Sequence, residues 1–247
     1  MIGNVEIVSL ETLFLIAMAL AAGVVRGFTG GMGANAILAP LLALAVGPRE
    51  AVPIVILLNV VSSVQLMPRA VRLTRWNEIL PMAIAAVFTV PLGVAVLLAI
   101  DQDSMRRVVA ATAMLLTVLM FARWRYTGPR GAAVAASVGG MAGFLNGAVS
   151  IGGPPVILYL LSGPDKAEIN RAQFISFLSI VQPVALIIFA VNGNFNSAMI
   201  VRASIMLVPF AAAIWAGAHL FHRSKEETFR RVALGAMLAA SLVALFS

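Results

Sequence analysis

The chain has 247 residues, 61% of them hydrophobic and 11% charged, with a formal net charge of +7 and a mean hydropathy of +1.01. A water-soluble domain of this size needs about a quarter of its residues charged to cover its surface, so the composition excludes a soluble globule. The absence of cysteine excludes a disulfide framework and a thiolate metal site.

The first ten residues carry Glu6 and no Lys or Arg, unlike the basic start of a cleavable signal peptide. Apolar stretches follow at 12–26, 32–46, 51–68, 79–100, 105–122, 131–147, 153–162, 172–191, 197–221 and 230–246. A helix that crosses a bilayer takes about 20 residues, with a range near 17–25. The stretches 51–68, 79–100, 105–122, 172–191, 197–221 and 230–246 qualify. The other four form two pairs, interrupted by Arg26-Gly27-Phe28-Thr29-Gly30-Gly31-Met32-Gly33-Ala34-Asn35 and by Asn146-Gly147-Ala148-Val149-Ser150-Ile151-Gly152-Gly153-Pro154-Pro155. Glycine and proline at this density do not sustain a helix. Non-helical backbone at membrane depth survives only where it is buried in protein or lines a wet cavity. Each pair therefore reads as a broken, re-entrant helical hairpin, 12–46 and 131–162. Two thin spans joined by an ordinary loop are the alternative.

The two hairpins belong to an internal duplication. Gly27-Phe28 recurs as Gly143-Phe144 and Gly47-Pro48 as Gly163-Pro164, each 116 residues later, and the same offset relates Gly31 to Gly147 and Ser63 to Ser179. Arg106-Arg107-Val108 is echoed by Arg230-Arg231-Val232 at an offset of 124. Weak duplication inside a very apolar chain is the mark of a transporter built from two repeats. The expected architecture is an all-α integral membrane protein forming one structural domain. Repeat 1 (1–125) holds the hairpin 12–46 and the spans 51–68, 79–100 and 105–122. Repeat 2 (126–247) holds the hairpin 131–162 and the spans 172–191, 197–221 and 230–246.

Basic loops set orientation, because Lys and Arg collect on the cytoplasmic side. Three clusters stand out: Arg69, Arg72 and Arg75; Arg123, Arg125 and Arg130; and Arg223, Lys225, Arg230 and Arg231. With these in the cytoplasm, each repeat is one hairpin plus three spans, so the second copy is inverted and both termini lie outside. Membrane orientation also accounts for the positive charge without invoking nucleic acid.

These residues resemble the TauE/SafE family of sulfite-exporter-like membrane proteins (the TSUP superfamily). The likeness rests on a Gly-rich break followed by Pro-x-Leu in each half: Gly30-Gly31-Met32-Gly33 leading to Pro40-Leu41-Leu42, and Gly152-Gly153-Pro154-Pro155-Val156-Ile157-Leu158. It runs from about residue 12 to the C-terminus. The resemblance implies a bacterial inner-membrane permease for small sulfur-containing anions such as sulfite, or organosulfonates such as sulfoacetate.

The expected site chemistry starts from the breaks. A helix start exposes unpaired N–H groups and a partial positive charge, which glycine lets an anion approach. Two inverted hairpins aim two such ends at one midplane point. The anion is expected against Gly30, Gly31, Gly33, Ala34 and Asn35 on one side, and against Gly147, Ser150, Ile151, Gly152 and Gly153, with Asn146, on the other. Close helix packing through small residues is the competing role for these glycines. Asn59, Ser62 and Gln65 in one span, and Gln173, Ser176, Ser179 and Gln182 in its counterpart, recur every three residues and offer uncharged donors. Of these, Asn59, Gln173 and Ser176 join the expected substrate-binding set. Arg26, beside the first break, is the cation most suited to hold an anion; Arg202 can instead snorkel to the interface. No metal site, cofactor or catalytic residue is expected: His219 and His222 lack an acidic partner within the membrane, and the well-centred spans hold no Asp, Glu or His for a proton relay. The expected partners are a small anion and the lipid bilayer. A channel of the same architecture is the rival function, and a homodimer stays open.

Overall fold

A computed structural model describes residues 10–29, 34–122 and 126–221. These residues form nine helices and no strand: α1 (Leu10–Thr29), α2 (Ala34–Val46), α3 (Pro48–Leu73), α4 (Trp76–Ala99), α5 (Gln102–Phe121), α6 (Ala132–Val149), α7 (Gly153–Leu161), α8 (Ala167–Val191) and α9 (Ser197–Phe221). Among the described residues six helices, α1, α3, α4, α6, α8 and α9, are long and apolar enough to cross a membrane. The expected span 230–246 and the basic residues 123, 125 and 223–231 lie outside the described residues. The expected span 105–122 falls on α5, which carries Asp103, Arg106 and Arg107 in its first two turns and is not among the six.

The hairpin arms depart from expectation. The first arm of each is longer than the apolar pattern suggested: α1 has 20 residues and α6 has 18, about 30 and 27 Å at 1.5 Å per residue. The second arms, α2 and α7, have 13 and 9. The difference arises because Gly27, Gly143 and Gly147 stay helical. Glycine costs about 1 kcal/mol in a helix, and here tight packing against a neighbouring helix offsets it.

That packing repeats itself. Gly23 and Gly27 of α1 lie against the backbone of α9 at Phe210 and Ile214, and Gly217 of α9 lies against the carbonyl of Val24. Gly139, Gly143 and Gly147 of α6 lie in the same way against Met82, Ala86 and Val90 of α4, and Gly93 of α4 against the carbonyl of Phe144. Partners advance together along both helices, so each pair runs parallel. Lipid is as apolar as leucine, so helices in a membrane associate largely through such close contact. Helices α3 and α8 pack on each other and join the two glycine-packed pairs. Large apolar side chains such as Phe88, Val191 and Val208 remain outside, each more than 70% exposed, as lipid-facing positions require.

Polar contacts gather the connections into two groups. In the first, Arg202 pairs with Glu11 at 3.0 Å and Glu50 at 2.6 Å, and Arg49 donates to the carbonyls of Leu98 and Ile100. In the second, Arg75 pairs with Asp165 at 2.8 Å and Arg130 with Glu78 at 3.3 Å, while the Tyr126 N–H donates to Ser162 Oγ. The unit α1–α2 starts and finishes in the first group; α6–α7 starts and finishes in the second.

Candidate functional site

Helix α6 ends at Ser150, whose φ of 54° places it in the left-handed region and whose N–H bonds the Asn146 carbonyl. Left-handed backbone is unusual for a residue with a Cβ. It turns the chain so that Ile151 and Gly152 lead into α7. Helix α7 then opens with Gly153-Pro154-Pro155. The two prolines remove two of the four N–H groups a helix start normally leaves open. The backbone donors left at this tip are those of Gly152 and Gly153, with Ile151 just before them, and none of the three is used in a backbone hydrogen bond outside the helices among the described residues.

The other break, residues 30–33, lies outside the described residues, and with it the expected contributions of Gly30, Gly31 and Gly33. Its flanks are placed. Ala34 is buried at the start of α2. Asn35, next to it, donates from Nδ2 to the Ser150 carbonyl at 2.7 Å. The start of α2 and the end of α6, 115 residues apart in sequence, therefore meet.

Arg26, one turn before the first break, is 2% exposed. Its Nε donates to Ser62 Oγ on α3, and Ser62 Oγ donates to the Asn59 carbonyl at 2.7 Å. Among the described residues Arg26 Nη1 has no partner, and neither polar atom of the Asn59 side chain has one. Around the second break, Gln182 Nε2 on α8 donates to Asn146 Oδ1 at 3.1 Å, leaving Asn146 Nδ2, Gln182 Oε1 and Ser150 Oγ buried and unpartnered. Ser63 Oγ on α3 is in the same condition. Buried polar groups in native structures are nearly always hydrogen-bonded, so this set calls for partners beyond the described protein atoms, such as water or a solute. Helix α8 borders both breaks: Arg171 Nη2 donates to the Gly27 carbonyl at 3.0 Å, and the Phe174 ring packs where a side chain on Gly153 would stand.

Several expected residues are directed elsewhere. Gln173 donates to Asp165 Oδ2 at 3.0 Å, and Ser176 Oγ lies 2.7 Å from Thr74 Oγ1, so both serve the second group of connections. Gln65 is exposed, and Ser179 donates to the Ile175 carbonyl of its own helix. Gly147 faces the α4 backbone and Gly152 the Ala142 carbonyl, which are packing roles. Ile151 is fully buried. Arg202 is bound by two carboxylates instead of snorkelling free. Sequence reasoning did not single out Arg171, which stands just before the expected span 172–191 and becomes a cation one turn inside α8 only once the helix is seen to start at Ala167. Among the described residues no cluster of three or more His, Cys, Asp or Glu residues is arranged to hold a metal ion.

Six apolar helices, lipid-facing hydrophobic side chains and a polar junction buried among them define a multi-pass membrane protein. The chain belongs to the TauE/SafE sulfite exporter family, a family of membrane transporters: the family model described as "Sulfite exporter TauE/SafE" matches residues 15–244, nearly the whole chain. No curated protein and no solved structure matches it.

Proposed function

We propose that the protein is a permease that exports a small sulfur-bearing anion, sulfite or an organosulfonate, bound where the two hairpin tips meet. The observation that carries this is the set of buried, unpartnered polar atoms around the junction: Arg26 Nη1, the Asn59 amide, Asn146 Nδ2 and Ser150 Oγ. Four of these atoms are N–H or O–H donors, which suits an oxyanion. The Ile151, Gly152 and Gly153 amides add backbone donors of the kind that bind anions at helix starts. On this reading the halves are inverted copies lying in a bacterial inner membrane with both termini outside. The exchange of partners, α1 with α9 and α6 with α4, and the opposed entry of the two hairpins support it. An anion leaving a negative interior gains about 2.3 kcal/mol per charge per 100 mV, so export needs no proton relay.

The test is efflux of labelled sulfite and of organosulfonates from proteoliposomes. Saturable flux that is stimulated by substrate on the opposite face supports the permease. A conductance that does not saturate identifies a channel, and no flux of any sulfur anion removes the proposal.

A further inference from the structure

We infer that the junction accepts a singly charged anion and discriminates against doubly charged ones; this rests on the proposed binding role of the same site. Arg26 is buried on α1, and every described acidic residue stands at a helix start or in a connection: Glu11, Glu50, Glu78, Asp101, Asp103, Asp165 and Glu168. The acid on its own helix, Glu11, is 15 residues away, about 22 Å along the axis. No ion pair involves Arg26 among the described residues. Among the described residues its side-chain hydrogen-bond partner is a hydroxyl, and the other unpartnered atoms around the junction belong to Asn, Gln and Ser. Arg26 thus stands, among the described residues, as a buried positive charge with no counter-charge, surrounded by neutral dipoles.

Burying a charge without a counter-charge is strongly unfavourable, and so is removing one partner of a buried pair. A monoanion on Arg26 closes the charge balance. A dianion leaves one negative charge in the same low-dielectric surroundings, held by dipoles alone. A further cation beside the first break is Arg171, which is half-buried, donates to the Gly27 carbonyl, and has Glu168 one turn before it on α8. Its guanidinium is engaged by the carbonyl end of α1, with Glu168 and Arg69 acting on its charge in opposite senses. A sulfonate with no second acid, or sulfite carrying its proton, fits this balance; a disulfonate does not.

The experiment uses the full-length protein in nanodiscs and two probes of matched headgroup, ethanesulfonate and ethane-1,2-disulfonate, both fully ionised at neutral pH. Ethanesulfonate is expected to bind at least about tenfold more tightly, and Arg26→Gln to abolish that binding while Arg26→Lys keeps the preference at lower affinity. Asn59→Ala and Ser62→Ala, which leave the cation in place, are expected to weaken ethanesulfonate binding and provide the readout should Arg26→Gln fail to fold. Disulfonate binding as tightly as ethanesulfonate, and lost in Arg26→Gln, overturns the charge assignment and leaves the site standing. If neither probe binds, or all four variants bind as the parent does, the site itself is wrong and the inference goes with it.

Discussion

Asn35 and Ser150 join the two halves of the chain: the amide nitrogen of one donates to the backbone carbonyl of the other at 2.7 Å. The bond ties the first turn of α2 to the residue that terminates α6. It thereby fixes each interrupted helix relative to the other. A membrane interhelical hydrogen bond contributes about 0.6 kcal/mol on average, too little to explain the fold but enough to set a register. Asn35→Ala is therefore expected to lower thermal stability only slightly. Anion affinity should fall far more, by about tenfold for every 1.4 kcal/mol by which the loosened tips hold the solute less firmly. Equal, small decreases in both measurements would show that the bond is structural alone.

Ser150 offers a separation of packing from binding at one residue. Its left-handed backbone costs a side chain with a Cβ about 1–2 kcal/mol, and its buried hydroxyl has no partner. Ser150→Gly relieves both and should leave melting temperature in detergent unchanged or raised. Anion affinity should nonetheless fall, because a donor is gone. Ser150→Val, β-branched and apolar, should destabilise. A glycine variant that binds as well as the parent would remove the hydroxyl from the site.

Much of this arrangement is legible in the sequence. The duplicated Gly-rich breaks mark where helices stop, and a lone Arg beside one of them marks a buried cation. The direction of the polar stripe is not legible in the same way. A step of three residues turns a helix by about 60° from alignment, so Gln173 and Gln182, nine residues apart, point to opposite faces. One reaches Asp165 and the other Asn146. Nor does a glycine disclose its neighbour. Gly147 meets the α4 backbone, and only the packing of two distant segments decides that a small residue there faces protein instead of solute.

The glycine positions make a sharp comparison. A methyl at Gly27 or Gly143 would enter the backbone of α9 or α4, whereas at Gly140, on the same helix as Gly143, it would meet only the Thr89 methyl at 3.6 Å. Gly27→Ala and Gly143→Ala should each destabilise by about 1–3 kcal/mol, the usual cost of overpacking. Gly140→Ala should be neutral or slightly stabilising through helix propensity. Unfolding titrations in mixed micelles measure the difference. Similar results for all three would mean that the parallel pairs α1–α9 and α4–α6 are not so closely packed.

The ion pairs at the two groups of connections share a layout with opposite charge. Arg202 on the first turns of α9 holds Glu11 of α1, and Glu78 on the first turn of α4 holds Arg130 just before α6. These partly exposed pairs contribute about 1 kcal/mol or less each, so neither governs stability. What each does is fasten a helix to the one it packs on, α1 to α9 in one group of connections and α6 to α4 in the other. Arg202→Gln loosens the start of α1 from α9, and Glu78→Gln loosens the start of α6 from α4. Because the chain has no native cysteine, a single cysteine placed at Ser150 reports which face reaches the junction. In Arg202→Gln, labelling by a membrane-impermeant maleimide should rise when reagent is added on the side of Glu11 and Glu50. In Glu78→Gln it should rise only from the side of Arg75 and Asp165. Labelling that rises from both sides in either variant would point to a continuous pore, and so to the channel instead of the permease.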